Sequence, residues 1–248
     1  MTRDFRYLTV KGFTLTELTI VLVIVALLTG GIMVPLSMQI DQRNYNETRQ
    51  RLDEVREALI GYALAEGRFP RPATSLEDGI ENPNDCANDD QCTGYIPWIT
   101  LGIKKTDAWN KMIRYSVTPS YAKNNTSIQP TDYSGKKVKT RNAEGVVSYL
   151  IGDDDHACGA GADGRVYRCT PVIILSFGKN NWGMTPEGIA LEDGSTTNAD
   201  EDTNASDTKV YFSRDHSNVP NGGEFDDIVT WISPYTLFNR MIAAGRLP

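Results

Sequence analysis

The amino-acid sequence predicts an α+β protein in which one long N-terminal helix packs on an antiparallel sheet with disulfide-stapled loops. Three observations lead to this prediction. Residues 18–40 form an apolar run without a charge, and residues 41–66 continue with helical periodicity. Residues 73–248 instead combine short apolar runs with many Gly, Pro, Asn, Asp and Thr residues. The first two features predict a helix with an apolar and an amphipathic half, and the third predicts short strands joined by loops.

The composition fits a folded chain with one apolar segment. Hydrophobic residues make up 40% and charged residues 23% of the 248 residues, which excludes a disordered acidic chain and a membrane protein with several spans. The net charge of −7 argues against nucleic acid as a partner, because binding to a phosphate backbone requires a basic surface. The chain has only two histidines and none of the common nucleophile, phosphate-binding or zinc-protease motifs, so we expect no enzymatic activity.

The apolar segment follows a short basic flank, residues 1–12. An uncharged run of the length of residues 18–40 can cross the hydrocarbon core of a bilayer as a helix, with its basic flank in the cytoplasm. We therefore expect a transmembrane half of the helix, with the rest of the chain outside the cytoplasm. A cleaved secretory signal peptide and a plain uncleaved signal anchor are simpler interpretations of the same segment.

A carboxylate at the start of the apolar segment separates these interpretations. Glu17 lies four residues after Phe13, and a carboxylate within an apolar helix is costly unless it has a partner. A cut between Gly12 and Phe13 would create an α-amine that could act as this partner. The simpler alternative is a carboxylate that reaches the membrane interface by itself.

The octapeptide KGFTLTEL, residues 11–18, resembles the processing motif of type IV prepilins and type II secretion pseudopilins. The resemblance implies a pilin-like fold, cleavage by a prepilin peptidase after Gly12, and methylation of the new N-terminus at Phe13. It also implies that Glu17 pairs with the N-terminus of a neighbouring subunit during assembly. The implied partners are other pilin or pseudopilin subunits, the prepilin peptidase and an inner-membrane assembly platform.

The resemblance implies four parts of the chain and a location for each. These are a leader at 1–12, a transmembrane and filament-core helix at 13–40, an amphipathic extension at 41–72 and a globular domain at 73–248. The protein would be a single-pass inner-membrane protein with a periplasmic C-terminal domain, and later part of a periplasmic or extracellular filament. Its implied function is that of a structural subunit of a type IV pilus-like or type II secretion filament. The alternative is a membrane-anchored or filament-tip adhesin that binds a ligand through loops of its C-terminal domain.

Helix signals continue beyond the apolar segment. Apolar residues recur at spacings of three and four, at Leu52, Val55, Leu59 and Tyr62. Gly67 and the two prolines that follow it predict the end of the helix. A kink in the first half is predicted by three helix-weakening residues, Gly30, Gly31 and Pro35.

The C-terminal domain contains five strand candidates and a closing helix. The strand candidates are the apolar runs at residues 112–118, 146–151, 172–177, 209–213 and 228–232. Ser233 and Pro234 predict the start of the closing helix, and Gly245 predicts its end. The polar stretches 123–135 and 193–207 are predicted to be loops.

Four cysteines lie in this domain: Cys86, Cys92, Cys158 and Cys169. An even number of cysteines outside the cytoplasm predicts two disulfides, and three connectivities are open. The pairs Cys86–Cys92 and Cys158–Cys169 are the simplest, because each closes a short loop. A zinc site that combines His156 with Cys158 and Cys169 is the alternative, although no C-x₂-C pair accompanies it.

The acidic stretch after residue 192 raises the question of a metal. Asp200, Asp202 and Asp207 are candidate Ca²⁺ ligands, because Ca²⁺ prefers carboxylate oxygens. The stretch has no EF-hand spacing, so a solvated loop is the alternative, and we expect no other cofactor. The segments 198–201 and 225–229 also resemble the end of a subset of long minor-pilin-like proteins, which implies that Asp226 or Asp227 fixes a loop.

Overall fold

The chain divides into two compact units, Met1–Arg43 and Asn44–Pro248. The computed structural model describes residues 12–153, 158, 169–192, 194, 197–216 and 223–247, and for residues 29–36 it describes the backbone alone. The first helix, α1 (Leu15–Glu66), contributes residues to both units.

The second half of α1 is the central helix of the larger unit. Its buried apolar side chains recur at spacings of three and four, as the sequence predicts, and include Leu52, Val55 and Leu59. The helix ends where the sequence places the stop. Gly67 adopts a φ of 75°, and its N–H donates to the carbonyl oxygen of Ala63 at 2.9 Å. This left-handed residue closes the last turn, which a side chain at that position would hinder.

A four-stranded antiparallel sheet packs against this helix. Its strands are β1 (Thr93–Tyr95), β2 (Arg114–Val117), β5 (Val172–Ser176) and β7 (Ile228–Ile232), in the order β1-β2-β5-β7. Every residue of β5 is buried. Val172 and Ile174 share the main core with α1, whereas Ile173 points to a second, smaller core on the opposite face. The centre of the sheet is therefore covered by a hydrophobic core on each face. This explains why the sequence of β5 lacks the alternation of apolar and polar residues that a half-exposed strand shows.

A second sheet of three strands carries the smaller core. Its strands are β3 (Lys137–Arg141), β4 (Val147–Ile151) and β6 (Val210–Phe212), in the order β4-β3-β6. The strands β3 and β4 are antiparallel, whereas β3 and β6 are parallel. Val138 and Tyr211 from this sheet meet Ile173 in the smaller core.

The described part of the larger unit contains three further α-helices and a short 3-10 helix, Pro119–Tyr121. The α-helices are α2 (Trp98–Leu101), α3 (Ala199–Ser206) and α4 (Pro234–Ala243). The closing helix α4 has Ser233 at its N-cap position and Pro234 at its first position, and Gly245 follows its end with a φ of 69°. These boundaries confirm the sequence prediction, although the Ser233 side chain makes no capping hydrogen bond.

The predicted pilin-like fold and the predicted location are both wrong. Among the described residues, no helix carries an apolar stretch long enough to cross a membrane. This finding contradicts the transmembrane half of the helix and the inner-membrane single-pass location with a periplasmic C-terminal domain.

The predicted sheet also needs correction, since the strands form two sheets and one pair, β3 with β6, is parallel. The α+β class itself is retained. The division of the chain after residues 12, 40 and 72 stays a prediction. The kink predicted at Gly30, Gly31 and Pro35 lies outside the residues whose side chains are described.

Candidate functional site

A capping box opens α1 at the predicted assembly residue. The backbone N–H of Thr14 donates to Oε2 of Glu17 at 2.8 Å, and the backbone N–H of Glu17 donates to Oγ1 of Thr14 at 3.3 Å. The Thr14 hydroxyl also donates to the same carboxylate oxygen at 2.8 Å. These reciprocal bonds satisfy two N–H groups that have no partner within the helix. Glu17 thus has a partner within its own chain, which the T-x-x-E spacing could have revealed.

The two predicted processing residues are accessible. Phe13 is 88% exposed. A Cβ atom built on Gly12 would meet nothing within 4 Å. Both residues precede the first helical residue, Leu15, so the peptide bond between them lies in non-helical backbone.

The first turns of α1 expose apolar side chains at consecutive positions. The large side chains between residues 15 and 28 are 48–80% exposed, namely Leu15, Leu18, Ile20, Val21, Leu22, Val23, Ile24, Val25, Leu27 and Leu28. Because successive helical residues point in directions about 100° apart, this apolar surface runs around the whole helix. A helix that is apolar on all sides is normally surrounded by other apolar groups.

All four cysteines form disulfides, in the simplest of the three connectivities. Cys86 pairs with Cys92 and Cys158 pairs with Cys169. The described residues include no free cysteine. The zinc site is therefore wrong, since both of its thiolates are consumed, and His156 lies outside the described residues.

The three predicted Ca²⁺ ligands do not form one site. Asp200 is buried and makes ion pairs with Arg141 at 2.8 Å and with Arg214 at 2.9 Å. Asp207 accepts the backbone N–H groups of residues 209 and 210, at 2.6 and 3.1 Å, and so shapes the turn before β6. Asp202 is exposed on α3. The three aspartates thus have different surroundings, and their carboxylates do not converge on one cation position.

A different set of acidic residues comes together instead. Glu201 from α3 and Asp226 and Asp227 from the segment before β7 place carboxylate oxygens within 4.8 Å of one another. We call these three residues the carboxylate cluster. Their residues are 1%, 5% and 6% exposed, respectively. The sequence analysis placed Glu201 in the acidic stretch but chose its neighbours Asp200 and Asp202 as the candidate ligands.

Most oxygens of the carboxylate cluster accept hydrogen bonds. Oδ2 of Asp226 accepts the backbone N–H groups of residues 179 and 180, at 3.0 and 2.8 Å. Oε1 of Glu201 accepts the Asp226 N–H at 2.6 Å, and Oδ2 of Asp227 accepts the Asn204 side-chain amide at 2.8 Å. Oδ1 of Asp226 is buried and has no hydrogen-bond partner among the described residues.

Burial strongly affects the charge state of the cluster. The pKa of Asp226 is raised to about 7, chiefly by loss of solvation and also by the nearby Glu201 carboxylate, against the opposing hydrogen bond from the Asn180 N–H. Burial, followed by repulsion from Glu201, also raises the pKa of Asp227 well above its ordinary value. Asp226 and Asp227 therefore resist ionisation in this buried setting.

Lys111 is a buried cation near the cluster. Its Nζ donates to the carbonyl oxygens of Phe177, Asn180 and Asn181, at 3.2, 2.5 and 2.7 Å. Burial lowers the pKa of Lys111, whereas the charges of Asp226, Asp107, Asp227 and Glu201 act to raise it. Lys111 and Asp226 thus hold one turn from two sides, the lysine through carbonyl groups and the aspartate through N–H groups.

A cleft of about 820 Å³ reaches one member of the cluster. Asp227 lines this cleft, together with Arg214 and His216. The cleft lies within the larger unit, and neither Glu201 nor Asp226 lines it.

The comparisons with known proteins give no relative. No family model matches the chain, and no curated protein or solved structure is significantly similar to it.

Proposed function

We propose that this chain is a structural subunit of a type IV pilus-like or type II secretion filament, rather than an enzyme. In this proposal, a prepilin peptidase cleaves after Gly12 and Phe13 is methylated. The apolar part of α1 then packs among other pilin-like subunits, delivered through an assembly platform. Glu17 pairs with the N-terminal amine of a neighbouring subunit.

The observation that carries the proposal is the apolar surface around the start of α1. Ten large apolar side chains between residues 15 and 28 are about half exposed or more. Full burial of one such side chain contributes about 1.5–3 kcal/mol, so covering them all would contribute on the order of 10 kcal/mol before the costs of association. A filament core made of parallel copies of the same helix would cover this surface on every side.

The processing motif supports the same function. The Gly12–Phe13 bond lies in exposed, non-helical backbone, which a protease can bind in an extended conformation. Glu17 lies four residues after the new amine and is exposed in the single chain. In an assembled filament it could exchange its bond with Thr14 for an ion pair with a neighbour.

The first experiment compares Glu17→Gln with Thr14→Ala in cells that assemble the filament. Both changes disturb the capping box, whose loss costs about 1 kcal/mol of helix stability, but only Glu17→Gln removes the charge. We expect Glu17→Gln to be absent from the sheared filament fraction and Thr14→Ala to be retained. The proposal fails if Glu17→Gln assembles at the wild-type level. Equal loss of both variants would assign Glu17 to helix capping instead of intersubunit pairing.

The second experiment measures the intact mass and N-terminal sequence of the protein from the filament fraction. A chain that begins at Phe13 with one added methyl group is expected. A chain that retains residues 1–12 in the filament would contradict processing at this bond. Gly12→Leu provides the matched control, because it should leave a full-length, unassembled chain.

A further inference from the structure

We propose that the cleft of about 820 Å³ in the larger unit binds the phosphate group of a small organic phosphate. Residues from α1, β3 and β4, from the segment after β6 and from the start of β7 line this cleft. The occupancy of the cleft does not depend on the function proposed above, because no residue between 12 and 28 lines it.

Three arginines from separate elements line the cleft. They are Arg49 in α1, Arg141 in β3 and Arg214 just after β6. A guanidinium group is always charged and presents its N–H donors in a rigid, planar fork that matches the oxygens of a phosphate. Arginines from three elements can contact a tetrahedral group at several of its oxygens, whereas a carboxylate offers two oxygens in one plane. The set therefore favours a phosphate over a carboxylate.

Each of the three guanidinium groups lies over an aromatic ring. The distances from Cζ to the ring centroid are 5.7 Å for Arg49 over Tyr45, 5.7 Å for Arg141 over Phe212 and 4.6 Å for Arg214 over Phe225. A ring attracts a cation through the negative charge of its face. These contacts thus position all three charges without a further carboxylate.

Most N–H donors of these arginines have no acceptor within the described residues. A guanidinium group has five such donors. Arg141 donates to Asp200 through Nε and Nη2 and to the Gly145 carbonyl oxygen through Nη1, at 3.0, 2.8 and 3.0 Å. Arg214 donates to the Gly223 carbonyl oxygen at 2.6 Å. Arg49 makes no hydrogen bond or ion pair within the part of the chain that the structure describes, so its whole fork is available to a ligand.

The shared carboxylate behind the cleft is the strongest single observation. The side chain of Arg214 is only 6% exposed, and it shares Asp200 with Arg141, at 2.9 and 2.8 Å. Burial lowers the pKa of Arg214, the Asp200 charge acts to raise it, and repulsion from Arg141 lowers it again. Two guanidinium groups therefore meet one carboxylate, which leaves a buried positive charge without compensation. An oxyanion in the cleft would compensate it.

The balance of charge in the cleft is positive, although the whole chain carries −7. The three arginines are opposed by Asp200 and by Asp215, which lines the cleft and is exposed. Asp227 adds little negative charge, because burial raises its pKa well above the ordinary value. A chain of this net charge repels a long phosphate backbone, whereas a small phosphate can enter a locally basic cleft.

The volume and the lining favour an organic ester over a free ion. A volume of about 820 Å³ lies within the range of about 300–1,000 Å³ that is typical of sites for small molecules. Leu150, Ile228 and Val229 provide apolar side chains, and Thr140 and Ser213 provide hydroxyl groups. The organic part of the ligand would pack against the former and donate to or accept from the latter.

The test is calorimetric titration of the full-length chain with four compounds: inorganic phosphate, glucose 6-phosphate, glucose and acetate. We expect inorganic phosphate to bind at one site per chain and glucose 6-phosphate to bind there more tightly. Glucose and acetate should not bind at the concentrations at which the two phosphates saturate the site. The Tm should rise with the concentration of glucose 6-phosphate, because the ligand binds the folded state.

Two exposed residues of the cleft should change the affinity in opposite directions. Arg49→Gln should weaken phosphate binding about tenfold, because it removes a charge-assisted hydrogen bond. Asp215→Asn should strengthen binding severalfold, because it removes a negative charge that repels the ligand. Arg43→Gln is the matched control, since Arg43 is an exposed arginine of the same helix that does not line the cleft, and it should bind as the wild type does.

Four outcomes would overturn the proposal. The first is the absence of binding by both phosphates at about 10 mM, which excludes a Kd near 1 mM. The second is binding of acetate or glucose as tight as that of glucose 6-phosphate, which would mean that the phosphate group is not recognised. The third is an equal loss in Arg43→Gln and Arg49→Gln, which would indicate attraction by net charge alone. The fourth is tighter binding of inorganic phosphate than of the ester, which would contradict an organic ligand.

Discussion

A charged network at the end of α1 gives the sharpest stability prediction. The Glu81 side chain is 11% exposed and forms ion pairs with the guanidinium groups of Arg68 and Arg71, whose side chains are 14% and 3% exposed. The Tyr62 hydroxyl donates to it at 2.7 Å and the Arg71 N–H at 2.9 Å. The change Glu81→Gln keeps the shape of the side chain but removes its charge.

The expected cost is about 3 kcal/mol in the free energy of unfolding. Removal of one partner from a buried ion pair costs about 3–5 kcal/mol, because the remaining charge has lost its compensation. Two features place Glu81→Gln at the lower end of this range. Arg71 keeps a second carboxylate, Asp85, at 3.0 Å. Arg68 keeps its bond to the carbonyl oxygen of Phe69 at 3.0 Å and is partly screened by solvent.

Urea denaturation of the full-length chain at two pH values measures this cost. At pH 7 the midpoint of Glu81→Gln should fall by about 1 M or more, taking an m-value of up to about 3 kcal/mol/M. Glu77→Gln, an exposed change nearby, is the control and should stay within about 0.5 kcal/mol of the wild type.

The pH dependence follows from the carboxylate. Burial acts to raise the pKa of Glu81, but the hydrogen bonds from Arg68, the Arg71 N–H and Tyr62 outweigh it and lower the pKa. A lowered pKa in the folded state means that the stabilisation is full at neutral pH and is lost as the pH falls through the folded value. The difference between wild type and Glu81→Gln should therefore shrink in acid. A difference below about 0.5 kcal/mol at pH 7, or one that grows in acid, would refute the reasoning.

Four further changes have expected outcomes that the same denaturation assay can check. Leu59→Ala empties a fully buried position in the main core and should cost about 3–4 kcal/mol. Tyr115→Phe leaves the carbonyl oxygen of Pro70 without its 2.8 Å donor and should cost about 1–2 kcal/mol. Replacement of the Cys86–Cys92 disulfide by two alanines, which opens a loop with a sequence separation of 6, should cost about 2 kcal/mol. Gly178→Ala places a Cβ against the Asp226 carbonyl oxygen at a φ of 57°, and should cost at least about 1 kcal/mol.

The parts of the fold that the sequence predicts correctly have local causes. Residues 228–232 were predicted as a strand and form β7 with the same limits. The run 172–177 contains β5, because a strand buried on both faces is apolar at every position. The ends of α1 and α4 follow from Gly67 and Pro234, whose backbone preferences act without help from distant residues.

The elements that the sequence did not predict depend on distant partners. The strand β3 has the sequence KVKTR, and Val138 is its only residue in an apolar core. The helix α3 has the sequence ADEDTNAS and no apolar face, so its pattern is that of a loop. It is held by polar contacts, such as the Asn204 amide, which bonds the carbonyl oxygen of Phe212 at 3.0 Å and the Asp227 carboxylate at 2.8 Å. No local pattern encodes these contacts.

The lack of a local signal for α3 also explains why the sequence grouped Asp200, Asp202 and Asp207 as ligands of one Ca²⁺ ion. Asp200, Glu201 and Asp202 are neighbours in sequence, but successive residues of a helix point about 100° apart. Asp200 therefore faces Arg141 in β3 and Arg214 just after β6. Glu201 faces the segment before β7, and Asp202 faces solvent. Only a helical assignment for residues 199–206 would have separated the three roles.

The turn at residues 177–181 is held by buried charges on two sides. Lys111 binds its carbonyl groups, and Asp226 accepts two of its N–H groups through Oδ2. Glu201 accepts the Asp226 N–H at 2.6 Å, so α3 is bound to the same aspartate. The turn, α3 and the start of β7 thus all depend on the position of one carboxylate, and Asp226→Asn should loosen the three together. Hydrogen exchange at the N–H groups of residues 179 and 180 should therefore be faster in Asp226→Asn than in the wild type, by more than the change in global stability explains.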